Sequence, residues 1–134
     1  MPPTAGYLEG AHVRLRADLD LLTRPVEEEL EADRAEQRVW LDEVRRRGLL
    51  PEDADEEATV LALHRYLALT PARLVGAALV DLVGDKRTQN QPGTVDEYPN
   101  WRVPLSGPDG QPMLLEDVFV SGRAARLASV LPHR

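Results

Sequence analysis

The sequence has 134 residues, 43 % of them hydrophobic and none of them cysteine, so it is long enough to bury a core and cannot form disulfides or thiolate metal sites. The formal net charge is −7, with 16 acidic and 9 basic residues over 1–70 and 7 of each over 71–134. No basic stripe is available for phosphate contacts, so nucleic acid is not an expected partner, and the acidity indicates a solvated helix face.

Membranes, metals and cofactors are not expected partners either. The longest apolar stretch, over 74–80, is far shorter than the roughly 20 residues that a spanning helix needs. No apolar run precedes the first charge at Glu9, so no signal peptide is expected, and we place the protein in the cytoplasm. The three histidines, His12, His64 and His133, lack metal-ligand spacing, and no glycine-rich phosphate loop occurs.

Three helices are predicted in the first half of the chain, over about 11–24, 26–47 and 55–69. The second has acidic residues in its first turn and arginines in its last, which complements the helix dipole, and Gly48 offers a left-handed stop. Its apolar stripe is interrupted, so we expect it, with Trp40, to be peripheral. The third helix carries His64, which we expect to pack in its apolar face with one ring nitrogen hydrogen-bonded.

A short apolar run over about 73–80 predicts a buried strand of a parallel sheet, with a helix as the competing interpretation because alanine and leucine are poor strand evidence. Asp81, at the end of the run, favours the strand, because functional groups lie at the carboxyl ends of strands in parallel barrels. A long loop over 84–106 and a last helix over about 114–131, interrupted near Gly122, complete the chain.

The loop is rich in groups that suit a polyhydroxylated ligand. Pro92 and Gly93 predict the centre of a type II turn. The loop also carries the amides of Asn90 and Asn100, which both donate and accept, and flat aromatic faces such as that of Trp101. The alternative interpretation is a structural loop whose amides bond to its own backbone.

Four stretches carry a resemblance to a known family: Asn90 to Arg102 (NQPGTVDEYPNWR), 2–10 (PPTAGYLEG), 63–71 (LHRYLALTP) and 79–84 (LVDLVG). Together they resemble the C-terminal part of the 4-α-glucanotransferases, the amylomaltase or disproportionating-enzyme family, which transfer α-1,4-glucan segments to an acceptor sugar with retention. The resemblance implies an α/β fold in which this chain is the last section of a (β/α)₈ barrel. We expect the chain itself to be mainly helical, with one or two short strands.

The resemblance also implies which residues bind an α-1,4-glucan or maltooligosaccharide. Asn90, Asn100 and Trp101 would line glucan subsites, and Pro92 and Gly93 would shape the loop. Two further residues would lie nearby. Asp81 would lie near the floor of the cleft, and Tyr7 would add its aromatic ring from a neighbouring loop. The alternatives are a capping or loop-bonding role for Asp81 and simple packing for both aromatic residues.

Catalytic residues are not expected in this chain. A retaining transfer needs two carboxylates about 5–5.5 Å apart, and the resemblance implies that these, and a third in a His-Asp pair, precede the segment 2–10. Asp96 and Glu97 cannot replace them, because neighbours on an extended chain point to opposite sides. We therefore expect this chain to be a fragment of a longer enzyme, either because the start at Met1 is misassigned or because the gene itself is a fragment. We expect it to be inactive alone, with the missing N-terminal part of the same enzyme as its partner. The alternative function is a non-enzymatic, acidic helical interaction module.

Overall fold

The computed structural model describes residues 2–132, in which all regular structure is helical. Seven helices follow one another in this range: α1 (Thr4–Leu8), α2 (Ala11–Asp18), α3 (Val26–Arg46), α4 (Glu56–Ala68), α5 (Leu79–Val83), α6 (Leu115–Val120) and α7 (Gly122–Val130). One isolated antiparallel bridge joins Ser106 to Pro112. None of the helices described here combines the length and the apolar character required to cross a membrane. His133, one of the three histidines considered above, lies outside the described residues.

The prediction of a strand over 73–80 is wrong. Residues 74–78 form no ladder, and the chain enters α5 at Leu79. A strand needs a neighbour to receive its N–H and C=O groups, and residues 2–132 contain no second strand. Of the expected architecture, the part of the chain that the structure describes contains the helices and the long loop but not the one or two short strands.

Helix boundaries follow local signals where these are strong. α3 differs from its predicted span by one residue at its C-terminal end, and α4 by one residue at each end. α3 stops before Gly48, which has a left-handed φ of 71°. The first predicted helix is too long: α2 ends at Asp18 because Asp20 has a φ of 54°, which does not continue a right-handed helix. The predicted last helix divides at Ser121, whose side chain caps α7 by accepting from the backbone N–H of Ala124 (3.2 Å).

α4 is the central element of the core, because it contributes to both buried clusters. Val60 packs with Ala5 of α1 and Leu127 of α7. Two residues further along, Ala62 packs with Val44 near the end of α3 and with Leu50 just beyond it. α4 therefore holds α1 and α7 against one part of its surface and α3 against another.

α1 lies so close to the start of the long loop that only glycine fits at position 6. A Cβ atom on Gly6 would lie 2.1 Å from the carbonyl oxygen of Lys86, far inside van der Waals contact. The Lys86 ammonium also pairs with the carboxylate of Glu9 just after α1. The close backbone approach fixes Tyr7 relative to the loop.

Candidate functional site

The long loop is closed at its base by Asp85, whose side chain is completely buried. Its Oδ1 accepts from the backbone N–H (2.9 Å) and Nε (3.0 Å) of Arg87, and its Oδ2 from Arg87 Nη2 (2.8 Å) and the Ser106 N–H (3.0 Å). Arg87 also donates to the carbonyl of Pro104. Burial acts to raise the pKa of Asp85, but the hydrogen bonds from Arg87 and Ser106 outweigh it, so this pKa lies below its ordinary value. One carboxylate thus holds both ends of the loop.

Side-chain hydrogen bonds within the loop hold its shape. Asn100 Oδ1 accepts from the backbone N–H of Gln91 (2.7 Å), and its Nδ2 donates to Thr94 Oγ1 (2.8 Å). The Tyr98 hydroxyl donates to the carbonyl of Thr88. Both ends of the Asn100 amide, predicted to contact substrate, are therefore bonded to the loop itself.

Pro92 and Gly93 stand at an exposed corner of the loop. Gly93 has a φ of 88°, which the second central position of a type II turn requires. The Thr94 hydroxyl donates to the carbonyl of Gln91 (2.7 Å) across this corner. Neither Pro92 nor Gly93 is among the residues that line the larger cavity described below.

Trp101 is the most unusual residue of the loop. Its φ of 60° places a bulky residue in the left-handed region, where residues other than glycine are strained. Its backbone N–H donates to the carbonyl of Gln89 (2.8 Å), while 77 % of the residue remains exposed. The loop thus keeps a large aromatic ring on the surface at a conformational cost.

An open cavity of about 810 Å³ lies beside this ring, between the loop and helices α1 to α5. Four predicted binding residues, far apart in sequence, line it together: Tyr7, Asp81, Asn90 and Trp101. Its wall also contains residues that the sequence did not single out as binding groups, among them His12, Glu36, Trp40, His64, Tyr66 and Gln89. Aromatic faces and polar groups therefore converge on one space.

Three stacked rings form one part of the wall. The Tyr7 ring lies 5.2 Å from that of His12 and 6.0 Å from that of Trp40, with interplanar angles of 28° and 26°. Burial raises the pKa of the Tyr7 phenol above its ordinary value. A hydrogen bond with Trp40 acts to lower this pKa, and the nearby carboxylates of Glu36 and Asp33 act to raise it. The expectation that Trp40 is peripheral is wrong, because packing of α3 brings its ring into the cavity wall.

Asp81 lies in the first turn of α5, not at the end of a strand. Its Oδ1 accepts from the backbone N–H of Thr4 (2.6 Å), the first residue of α1. A carboxylate at a helix N-terminus satisfies a free N–H and interacts favourably with the helix dipole. Asp81 therefore has the bonding role considered above, while also lining the cavity.

His64 packs as its helical position predicts. It is 4 % exposed, and its Nδ1 lies 2.8 Å from the carbonyl oxygen of Val60 one turn earlier. A carbonyl oxygen can only accept, so Nδ1 carries the proton. His64 also lines the cavity, which its place in the apolar helix face does not reveal.

Comparison with known proteins finds the same family that the loop sequence resembles. A sequence profile of the 4-alpha-glucanotransferase family matches residues 1–109. The 4-alpha-glucanotransferase of Mycobacterium tuberculosis is 65 % identical over 133 residues, which are 98 % of this chain and 18 % of that protein. The Haemophilus influenzae 4-alpha-glucanotransferase is 31 % identical over 81 residues, or 54 % of this chain and 12 % of that protein.

The fold agrees as well. The crystal structure of amylomaltase from Corynebacterium glutamicum superimposes with a TM-score of 0.91 at 37 % identity, covering 97 % of this chain and 20 % of that one. This chain therefore spans about a fifth of the length of its relatives. With most of its residues matched by the family profile, the chain belongs to the 4-alpha-glucanotransferase family.

Proposed function

We propose that this chain is the C-terminal part of a 4-alpha-glucanotransferase that transfers α-1,4-glucan segments to an acceptor sugar with retention. Its role is to supply substrate-binding groups and not the catalytic carboxylates. The observation that carries the proposal is the exposed Trp101 ring, held at the cavity in a strained backbone conformation. Strain maintained by surrounding hydrogen bonds is typical of functional sites, and an exposed aromatic face suits stacking on a sugar.

The seven predicted binding residues divide into two groups. Tyr7, Asp81, Asn90 and Trp101 line the cavity, and they would contact the glucan directly. Asn100, Pro92 and Gly93 act through the loop, since they set the conformation that presents Asn90 and Trp101.

The partner proposed for this chain is the N-terminal part of the same enzyme, with which it would complete a (β/α)₈ barrel. Exposure alternates along 74–78, with Leu74, Gly76 and Ala78 exposed and Val75 and Ala77 half-buried. Leu74 is 92 % exposed, and packing against the N-terminal part would cover it.

The 134-residue chain alone is expected to produce no disproportionation products from maltotriose, because the nucleophile and the acid/base carboxylate of a retaining transfer are proposed to lie in the missing part. Separation of the sugars by chromatography after prolonged incubation checks this. Maltose-series products above those of a buffer control would contradict the assignment of the catalytic groups to another part of the enzyme.

Trp101→Ala is expected to weaken binding of maltoheptaose by the chain up to roughly tenfold, because an aromatic ring stacked on its partner contributes about 0.5–1.5 kcal/mol beyond its buried area. Isothermal titration calorimetry measures the effect. Phe119→Ala is the matched control, since Phe119 is 80 % exposed on α6 and does not line the cavity.

Equal affinities of the two variants would show that the Trp101 ring is scaffolding, and the contact roles of its neighbours would be withdrawn with it. A folded chain that does not bind maltodextrins of any length would favour the acidic helical interaction module instead. Circular dichroism of each variant confirms that the helices are retained.

A further inference from the structure

Asp33 differs from the solvated acidic residues of α3, because its side chain is only 10 % exposed. Its two oxygens have different partners. Oδ1 lies 3.2 Å from Nε2 of His12 on α2, and Oδ2 accepts from Nε2 of Gln37 (2.9 Å), one turn further along α3. A carboxylate away from water is costly unless hydrogen bonds satisfy it, so these two contacts allow Asp33 to be buried.

Both partners of Asp33 also contact Tyr7. The side-chain amide nitrogen of Gln37 has two N–H groups, and besides Asp33 it bonds to the carbonyl oxygen of Tyr7 (2.9 Å). The His12 ring stacks on the Tyr7 ring. Asp33 is thus connected to the backbone of Tyr7 through Gln37 and to its ring through His12.

The contact with Asp33 holds the plane of the His12 ring. The torsion that turns a histidine ring has broad preferences, so the plane of the ring is set by what the ring contacts. The other ring nitrogen, Nδ1, is buried and has no hydrogen-bond partner within residues 2–132. The polar contact of Nε2 with Asp33 therefore determines which way the ring faces Tyr7.

Tyr7 depends on contacts of this kind because α1 has only five residues, too few for a helix to be stable by itself. Neither Asp33 nor Gln37 lines the large cavity or the smaller one, of about 360 Å³, beside α2. Both residues therefore lie behind the cavity wall, where they act on it through Tyr7 and His12.

We propose that Asp33 is a positioning residue of the candidate site, which holds the Tyr7 ring in the cavity wall through His12 and Gln37. This inference rests on the proposed function, in which the Tyr7 ring contacts a glucan. It gives a role in the site to a residue that the sequence places among solvated acids.

The test measures maltoheptaose binding to the full 134-residue chain by isothermal titration calorimetry. Tyr7→Ala is expected to weaken binding up to roughly tenfold, as the loss of a stacked ring does. Asp33→Ala is expected to weaken binding less than Tyr7→Ala, because it displaces the ring without removing it.

Glu29→Ala is the matched control. Glu29 lies one turn before Asp33 on α3, its side chain is 16 % exposed, it pairs with Arg24 (3.1 Å), and it lines neither cavity. This variant is expected to bind maltoheptaose like the unsubstituted chain. Equal weakening by Glu29→Ala and Asp33→Ala would show that the loss of any half-buried carboxylate of α3 has this effect, and would overturn the proposal.

A chain with both substitutions separates positioning from a general loss of structure. If Asp33 acts through the Tyr7 ring, its loss has no further effect once the ring is removed, so the double variant is expected to bind like Tyr7→Ala. A double variant that binds still more weakly, by the factor that Asp33→Ala costs alone, would show that the two residues act independently. That result would overturn the proposal.

A second readout needs no ligand and uses Asp33→Asn, which keeps the shape and one acceptor and serves where Asp33→Ala does not fold. Nuclear Overhauser effects are expected between the stacked ring protons of Tyr7 and His12 in the unsubstituted chain. In Asp33→Asn these effects are expected to weaken, and the affinity is expected to lie between those of the unsubstituted chain and Tyr7→Ala. Overhauser effects or an affinity that stay at the level of the unsubstituted chain would overturn the proposal.

The remaining outcomes separate this inference from the proposed function. Weakened binding in Trp101→Ala, together with unchanged binding in Tyr7→Ala or Asp33→Ala, overturns the inference and leaves the proposed function intact. A complete absence of maltoheptaose binding by the unsubstituted chain overturns both.

Discussion

Asp85→Ala is expected to lower the free energy of unfolding by about 3 kcal/mol, the low end of the range for removing one partner of a buried ion pair. The substitution leaves the buried Ser106 N–H without its acceptor and separates the two ends of the loop. The effect stays at the low end because the Arg87 side chain is 42 % exposed, so water hydrates its unpaired charge. Urea unfolding followed by circular dichroism measures the change.

Asp96→Ala is the matched control for this prediction. Asp96 is an exposed carboxylate in the same loop, and such surface substitutions usually change stability by less than about 0.5 kcal/mol. Asp85→Asn provides a graded comparison, since it keeps the shape and one acceptor but loses the charge. Similar unfolding midpoints for Asp85→Ala and Asp96→Ala would show that the loop base does not depend on this carboxylate.

Gly6→Ala is also expected to cost about 3 kcal/mol, the upper part of the usual range for overpacking. The added Cβ would lie 2.1 Å from the Lys86 carbonyl oxygen, and because that neighbour is backbone, α1 or the loop base has to move as a whole. The displacement should reach Tyr7, the next residue of α1. Urea unfolding gives the stability change, and hydrogen exchange of the α1 amides shows where the structure opens.

Gly76→Ala is the control for the effect of adding a methyl group to a glycine. A Cβ on Gly76 meets nothing within 4 Å, and its φ is not in the left-handed region. Such a change is expected to be neutral or stabilising by up to about 1 kcal/mol, through the lower entropy of the unfolded chain. A Gly6→Ala variant as stable as Gly76→Ala would mean that α1 is free to move away from the loop base.

The two largest predicted effects concern the same region of the molecule. Asp85 closes the loop, and Gly6 allows α1 to approach Lys86, the residue after Asp85. Together they fix the loop, with Trp101, relative to Tyr7 across the cavity. Neither residue was a candidate at the level of sequence, because a buried carboxylate and a close backbone approach have no local signature.

What the sequence determined by itself is local. The acidic first turn, the arginines of the last turn and Gly48 specified α3 because a helix dipole and a left-handed stop act within one element. Likewise, the proline and glycine of the loop specified a turn through their own backbone preferences. The uninterrupted run from Asn90 to Arg102 was sufficient to indicate the family, which the comparisons then showed.

What only the tertiary structure decided depends on residues distant in the chain. The run 73–80 is short and apolar, as a buried strand is, but a ladder requires a partner strand, and none is present in residues 2–132. Trp40 belongs to a helix that appeared peripheral from its own sequence, and packing brought its ring against Tyr7. The Asn100 amide and the Asp81 carboxylate had several possible partners, and the fold selected the backbone of the loop and of α1. Contacts of this kind form only when separate elements meet, so neither periodicity nor composition records them.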